Sequence, residues 1–278
     1  MNYIRKHLST ILLGVMFLVG TGLLAYPTVA NWWNNNMASH AVANYTEAVE
    51  SMGTEEYDRM LENAHAYNDV LAAEGNRYFP TDEQHADYKA QLAVGGSSVM
   101  GAINVPTAKI SLPIYHGTSE ETLAAGAGHL EGSSLPIGGI GTHAVITGHR
   151  GLPSAKLFTD LDQVVEGDHI VLKILNETLT YEVDTIQIVL PEEMDSLRID
   201  PDQDLLTLVT CTPYGINSHR MLVTGHRVEN DAEWEALSEA RQIDSRLVAI
   251  GVAVPILLIL FIVLMVRHRR PKEKGKEN

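Results

Sequence analysis

Hydrophobic positions follow three different patterns along the chain. From about Ile11 to Ala25 they are nearly contiguous, around the core Ile11-Leu12-Leu13-Gly14-Val15-Met16-Phe17-Leu18-Val19-Gly20, and from Leu247 to Val266 they again form an uncharged run of 20 residues. A run of that length suits a hydrocarbon core of ~30 Å, and Pro255 within it is tolerated in a membrane helix. Over residues 38–75 the period changes to about 3.6. Tyr57, Met60, Leu61, Ala64, Tyr67 and Leu71 then share one stripe, which predicts a helix with a packing face. Thr54 is the expected N-cap, with Glu55 and Glu56 in the first turn. Residues 75–96, containing Phe79-Pro80-Thr81-Asp82, read as irregular.

From Val99 the pattern shortens to strands. They are expected at 101–106, 110–114, 144–147, 170–174, 179–183, 186–189, 205–211 and 220–228. Pro106 and Pro113 fall at or near strand ends, where proline is accepted. Gly126-Ala127-Gly128-His129 reads as a bend, and Lys156 to Leu161 as one or two helical turns. Seven or eight short strands with few helices indicate a closed or sandwich-like β domain. The expected division is 1–10, an apolar helix at 11–30, a helical extension at 31–97, the β domain at 98–229, a polar stalk at 230–246, a second membrane helix at 247–266 and a basic tail at 267–278.

Charge sets the orientation. Arg5 and Lys6 precede the first run, and Arg267, Arg269, Arg270, Lys272, Lys274 and Lys276 follow the second. Positive residues stay cytoplasmic, so both termini are expected inside and the β domain outside the cell membrane. After the first run Ala25-Tyr26-Pro27 is a poor cleavage site and Thr28-Val29-Ala30 alone comes near one, so the segment reads as an uncleaved anchor rather than a signal peptide. The whole chain carries −15; setting aside Arg5, Lys6 and the tail's six basic and two acidic residues leaves −21 for the part between. Nucleic acid is excluded as a partner by that sign, since phosphate binding needs a basic surface. The basic tail fits an anionic lipid surface.

Candidate chemistry centres on the single cysteine. Cys211 ends one expected strand in Thr207-Leu208-Val209-Thr210-Cys211-Thr212-Pro213, and Arg220 begins the next after a turn with Gly215 and Asn217. An exported protein with one unpaired thiol points to reactivity, although a free Cys also serves as a small buried hydrophobe. A cysteine acyl transferase needs a thiolate, a proton-shuttling base and positive or donor groups where the oxyanion forms. Arg220 suits the last role; the alternative is a surface charge at a strand end. For the base, His149 in Thr147-Gly148-His149-Arg150-Gly151 lies just after a strand in a glycine-bordered loop. His143 reads as structural, while His219 and His226 rival His149 on spacing alone. The histidines lack a His-x-x-x-His pair and one thiol cannot cage a metal, so neither metal nor cofactor is implied.

The run from Thr207 to Val223 resembles the active-site hairpin of sortases, Thr-Leu-x-Thr-Cys followed by an arginine. Ala144 to Pro153 resembles that family's histidine motif. Gly126-Ala127-Gly128-His129-Leu130-Glu131-Gly132 with Leu135-Pro136 is similar to its class C, pilin-polymerising branch, as are two membrane segments and a helical extension. The resemblance covers about 99–228 and implies a closed sortase-type β-barrel of about eight strands. It implies Cys211 as nucleophile, His149 as acid/base and Arg220 as stabiliser of substrate and oxyanion. It further implies an LPXTG-like sorting signal cleaved between Thr and Gly through a thioester, with transfer to an amine. Implied partners are LPXTG-bearing surface or pilin proteins and an acceptor amine on a pilin lysine or a cell-wall precursor. The activated thioester removes any need for a nucleotide. Class C members carry an Asp-Pro-aromatic lid; here Tyr78-Phe79-Pro80-Thr81-Asp82 has those parts in another order, leaving 76–95 as a lid or a connector. Wall anchoring, a surface cysteine protease and a non-catalytic β assembly module stand as alternatives. An L,D-transpeptidase-like cross-linker lacks its Ser-x-Gly-Cys loop here.

Overall fold

The computed structural model describes residues 2–74 and 77–230, with side chains from residue 12 onward. The stalk beyond residue 230, the apolar run at 247–266 and the tail at 267–278 lie outside the described residues. The chain opens with α1 (Asn2–Glu50), 49 residues that continue through Pro27 without a break. At 1.5 Å per residue it is about 70 Å long. Leu12, Leu13, Met16, Leu18, Leu23 and Leu24 on it are exposed. Its segment Leu12–Glu50 is the one helix among the described residues with the length and apolar composition to cross a membrane.

The expected helix at 38–75 is in fact two. α1 ends at Glu50 and α2 (Thr54–Ala73) starts after a turn. Gly53 occupies the N-cap without a side-chain bond, and Thr54 is already inside the helix. The region read as irregular contains α3 (Asp82–Ala90), closed at its start by a reciprocal capping box in which Thr81 and Gln84 satisfy each other's backbone N–H.

Eight strands follow: β1 (Val99–Val105), β2 (Ile110–His116), β3 (Ala127–His129), β4 (Thr142–Thr147), β5 (His169–Ile174), β6 (Glu177–Val189), β7 (Asp204–Thr212) and β8 (His219–Val228). They close into a barrel in the order β1-β2-β3-β4-β7-β8-β6-β5. β2–β3 and β4–β7 are parallel and the other pairings antiparallel. The stretch read as a glycine-rich bend is instead the strand β3, entered from the short helix α4 (Glu120–Ala125) through Gly126. Gly128 is required there because a Cβ would lie 2.4 Å from the Gly117 carbonyl oxygen. The two strands expected at 179–183 and 186–189 are one, β6, whose register shifts between Val183 and Thr185. Residues 156–160 form turns rather than a helix, with a 3-10 turn only at Leu161–Gln163.

Alternation of side chains fills the barrel. Ile103, Ile114, Ile146, Ile170, Leu172, Tyr181, Leu206, Leu208 and Val223 are wholly or almost wholly buried in one cluster. The three N-terminal helices dock on this barrel through buried polar side chains as well as apolar ones. Tyr45 of α1 donates its hydroxyl to the Met100 carbonyl (2.9 Å) and accepts the Leu175 N–H (2.7 Å). Asn68 of α2 clamps Leu135 at both backbone groups, donating to its carbonyl (3.1 Å) and accepting its N–H (2.7 Å). Tyr88 of α3 accepts the Gly117 N–H (2.9 Å) and lies 3.0 Å from His129 Nδ1.

Candidate active site

One face of the barrel over β4, β7 and β8 carries a second, smaller apolar cluster. Val145, Leu197 and Leu222 are buried there, with Leu130, Val189 and Val209 packed against them. These residues point away from the barrel interior because they alternate with the inward Ile146, Leu208 and Val223. They floor a groove of about 360 Å³ whose walls include His149, Cys211 and Arg220.

The same alternation delivers the two β-strand members. Two residues beyond Val209 on β7 is Cys211, and two before Leu222 on β8 is Arg220, so both project to the groove side. They are register partners, which sets their Cα atoms roughly 4.5–5.5 Å apart. The Arg220 guanidinium is fixed at the rim by Nη1 bonds to the carbonyls of Asn217 (3.2 Å) and His219 (3.1 Å). Cys211 is a half-buried free thiol.

His149 reaches the same groove through the parallel pairing of β4 with β7, in which Thr147 stands beside Val209. The contact continues past the strand end. Gly148 N–H donates to the Val209 carbonyl (3.1 Å), and Thr210 Oγ1 donates to the Gly148 carbonyl (2.8 Å). Two residues on from the last pair, His149 and Cys211 are therefore neighbours in register. Gly148 cannot carry a side chain, because a Cβ would meet the ring of buried Phe158 at 2.6–2.9 Å. Phe158 N–H in turn donates to the His149 carbonyl (3.0 Å), closing the loop on itself.

Arg150 braces this arrangement. Its side chain is 8% exposed, paired with Asp162, and its Nη1 donates to Thr212 Oγ1 at 3.4 Å. It thereby connects the residue after His149 to the residue after Cys211. Residue-type reasoning passed over Arg150. Its adjacency to His149 was visible in the sequence, whereas the contact with Thr212 depends on the β4–β7 pairing.

Among the described residues no other histidine lines the groove. His143 is buried between the Arg198 carbonyl (2.8 Å) and Thr207 Oγ1 (2.7 Å), and burial lowers its pKa. His219 lies beside Ser218 Oγ (2.9 Å), and His226 pairs with Asp184 (2.8 Å). His129 is fully buried; burial, opposed by its bond to the Ser134 carbonyl, pulls its pKa down to about 4. The residues lining the groove include none from 77–95. Phe79 is 78% exposed. Arg77 and Tyr78 instead reach the Leu197 carbonyl (2.9 and 3.4 Å), on the back of the groove wall. The apolar wall at Val189, Leu190, Pro191 and Met194 was not anticipated as part of the site. Leu190, the first residue past β6, is exposed there.

The family model for the Sortase domain matches residues 103–242. Among solved structures, the chain is similar to sortase C1 of Streptococcus agalactiae, with 48% identity and a TM-score of 0.67, covering 69% of this chain and 100% of that one. It is also similar to sortase C of Clostridium perfringens, solved with the C-terminal cell wall sorting motif, at 40% identity and a TM-score of 0.62, covering 69% of this chain and 100% of that one. Sortase A of Bacillus anthracis is 24% identical over 229 residues, 82% of this chain and 99% of the relative.

Proposed function

The chain belongs to the sortase family of cysteine transpeptidases, and we propose that it cleaves an LPXTG-like sorting signal and transfers the acyl part to an amine, a pilin lysine in the polymerisation of pili. The observation that carries this reading is the convergence of Cys211, His149 and Arg220 on one apolar-floored groove. In this mechanism the Cys211 thiolate attacks the Thr carbonyl carbon, and the developing oxyanion faces the Arg220 guanidinium. Collapse breaks the Thr–Gly bond, with protonated His149 giving its proton to the departing Gly amine. A thioester on Sγ remains. The acceptor amine then loses a proton to His149, attacks the thioester carbonyl and expels the thiolate, which restores the enzyme. Val145, Val209, Leu197 and Leu222 suit the Leu and Pro side chains of the signal, since an apolar floor binds them by removing both surfaces from water. The exposed apolar stretch of α1 suits a membrane anchor at 11–30. With 247–266 as a second span and both termini cytoplasmic, the barrel at 98–229 would stand outside the cell. The similarity to two sortase C structures supports the pilin branch over wall anchoring.

Intact-mass analysis of the full-length chain with a Leu-Pro-x-Thr-Gly peptide tests this. The expected result is an adduct on Cys211 equal to the peptide cut after Thr, lost in Cys211→Ala. Added lysine-bearing peptide should then take the acyl group. No adduct while Cys211 remains alkylatable would overturn the substrate reading, and release to water alone would favour a protease.

A further inference from the structure

We propose that the catalytic barrel is docked on the bilayer surface, with the loop 151–156 that follows His149 held in the lipid headgroup layer by Asn31 and Asn34 of α1. This rests on the reading of 11–30 as a membrane anchor. Residues 12–30 as helix span about 28 Å, the thickness of the hydrocarbon core. The headgroup layer on each side is a further 5–7 Å or so, which the helix crosses in roughly the next four or five residues. Those residues are Asn31 to Asn35.

Within that interval the barrel is already gripped. Asn31 Oδ1 accepts the Lys156 N–H at 2.8 Å, and Asn34 Nδ2 donates to the Ser154 carbonyl at 2.9 Å. Three residues apart, the two amides share one helix face. Between and beside them Trp32 and Trp33 remain exposed, as aromatic residues at a membrane–water boundary do. A loop bonded to residues at headgroup height is itself at that height.

The attachment cannot pivot freely, because α1 continues as the same helix to its second fixed point, Tyr45, bonded to Met100 and Leu175. Two attachments roughly 20 Å apart on one rod fix tilt as well as height. Charge is consistent with the contact. The chain is strongly acidic, yet it has no Asp or Glu before Glu47 or between Glu131 and Asp160. The two acids that follow are neutralised by Lys156 and Arg150. The two segments that meet there thus bring little of the charge that an anionic bilayer would repel. His149, five residues before Ser154, would then work at a set distance from the lipid.

The test reads depth in the full-length chain, Cys211→Ala to leave one label site, reconstituted in phosphatidylcholine–phosphatidylglycerol vesicles. A nitroxide is placed at Pro153→Cys or, as the distal reference, at Asn176→Cys beside Leu175. The label at 153 should show an oxygen-to-nickel-complex accessibility ratio several-fold above that at 176. Adding Asn31→Ala and Asn34→Ala should bring the two together. Equal, water-like values at both positions in the otherwise native background would overturn the docking. Quenching of Trp32 and Trp33 by brominated lipid, with Trp234→Phe added so that they alone emit, would show that the anchor reading survives that failure. Absence of quenching, with protein in the vesicle-free supernatant, would sink the anchor and the docking together.

Discussion

Cys211 and Arg220 are opposed across β7 and β8. Arg220→Ala should lower kcat/KM by about 10²–10³ if the guanidinium meets the oxyanion, measured by peptide turnover; a loss of a few-fold would mark a positioning role. Arg150 is a positioning residue, acting through the loop of His149 and the strand end of Cys211. Arg150→Ala is expected to lower kcat with KM little changed, and Arg150→Lys to rescue only partly, since lysine cannot contact Asp162 and Thr212 with a planar fork. Gly148→Ala should be as damaging to kcat, because the added methyl meets a buried aromatic ring rather than a mobile side chain. The pair Cys211–Arg220 was legible in the sequence because a turn with Pro213, Gly215 and Asn217 separates two alternating strands. Spacing alone left His149 level with His219 and His226; the resemblance of 144–153 to a histidine motif singled it out, and the β4–β7 pairing, which no local pattern announces, is what brings it beside Cys211.

Among the elements, the N-terminal helices show what a periodicity reading sees and omits. The stripe of Tyr57, Met60, Leu61 and Tyr67 does pack on the barrel, but the buried polar clamps at Tyr45, Asn68 and Tyr88 carry no periodic signal. α3 was invisible because Asp82–Ala90 is almost wholly polar, with Tyr88 its one buried residue; the Thr81–Gln84 capping box was its available signature. β3 was hidden by its glycine, and the unity of α1 by Pro27 and the asparagines after it. Tyr88→Phe should destabilise the fold by about 1–3 kcal/mol in denaturant melts, because the Gly117 N–H loses its buried acceptor. His129 adds a pH dependence. Its Nε2 donates to the Ser134 carbonyl (2.8 Å), which leaves Nδ1 unprotonated toward Tyr88. With a folded pKa of about 4 against about 6.5 unfolded, the unfolded chain binds the extra proton first. Stability is therefore full above pH ~6.5 and falls as pH drops toward ~4, by about 3 kcal/mol in all. Thermal melts across that window should show the decline, in the same direction as the lowered pKa of His143.

For the whole molecule, alternation indicated a β domain of seven or eight strands, closed or sandwich-like, with β6 split in two and β3 left out. Closure into a barrel came from the resemblance, and the strand order was hidden because sequence neighbours β4 and β5 are not spatial neighbours. That order has a consequence for how activity first arises. Cys211 and Arg220 are nine residues apart and meet in a hairpin, a unit that forms in about 1–10 μs. His149 lies 62 residues from Cys211 and reaches it only when β7 inserts beside β4, a long-range closure that must overcome loop entropy first. Under the proposed roles, a refolding chain thus brings Cys211 and Arg220 together well before His149 joins them. In refolding experiments Cys211 should react with a small alkylating agent throughout, whereas acyl-adduct formation should appear only with the final cooperative step. If those roles hold, chain topology works as a timing device, withholding peptide-bond chemistry from every species except the finished barrel.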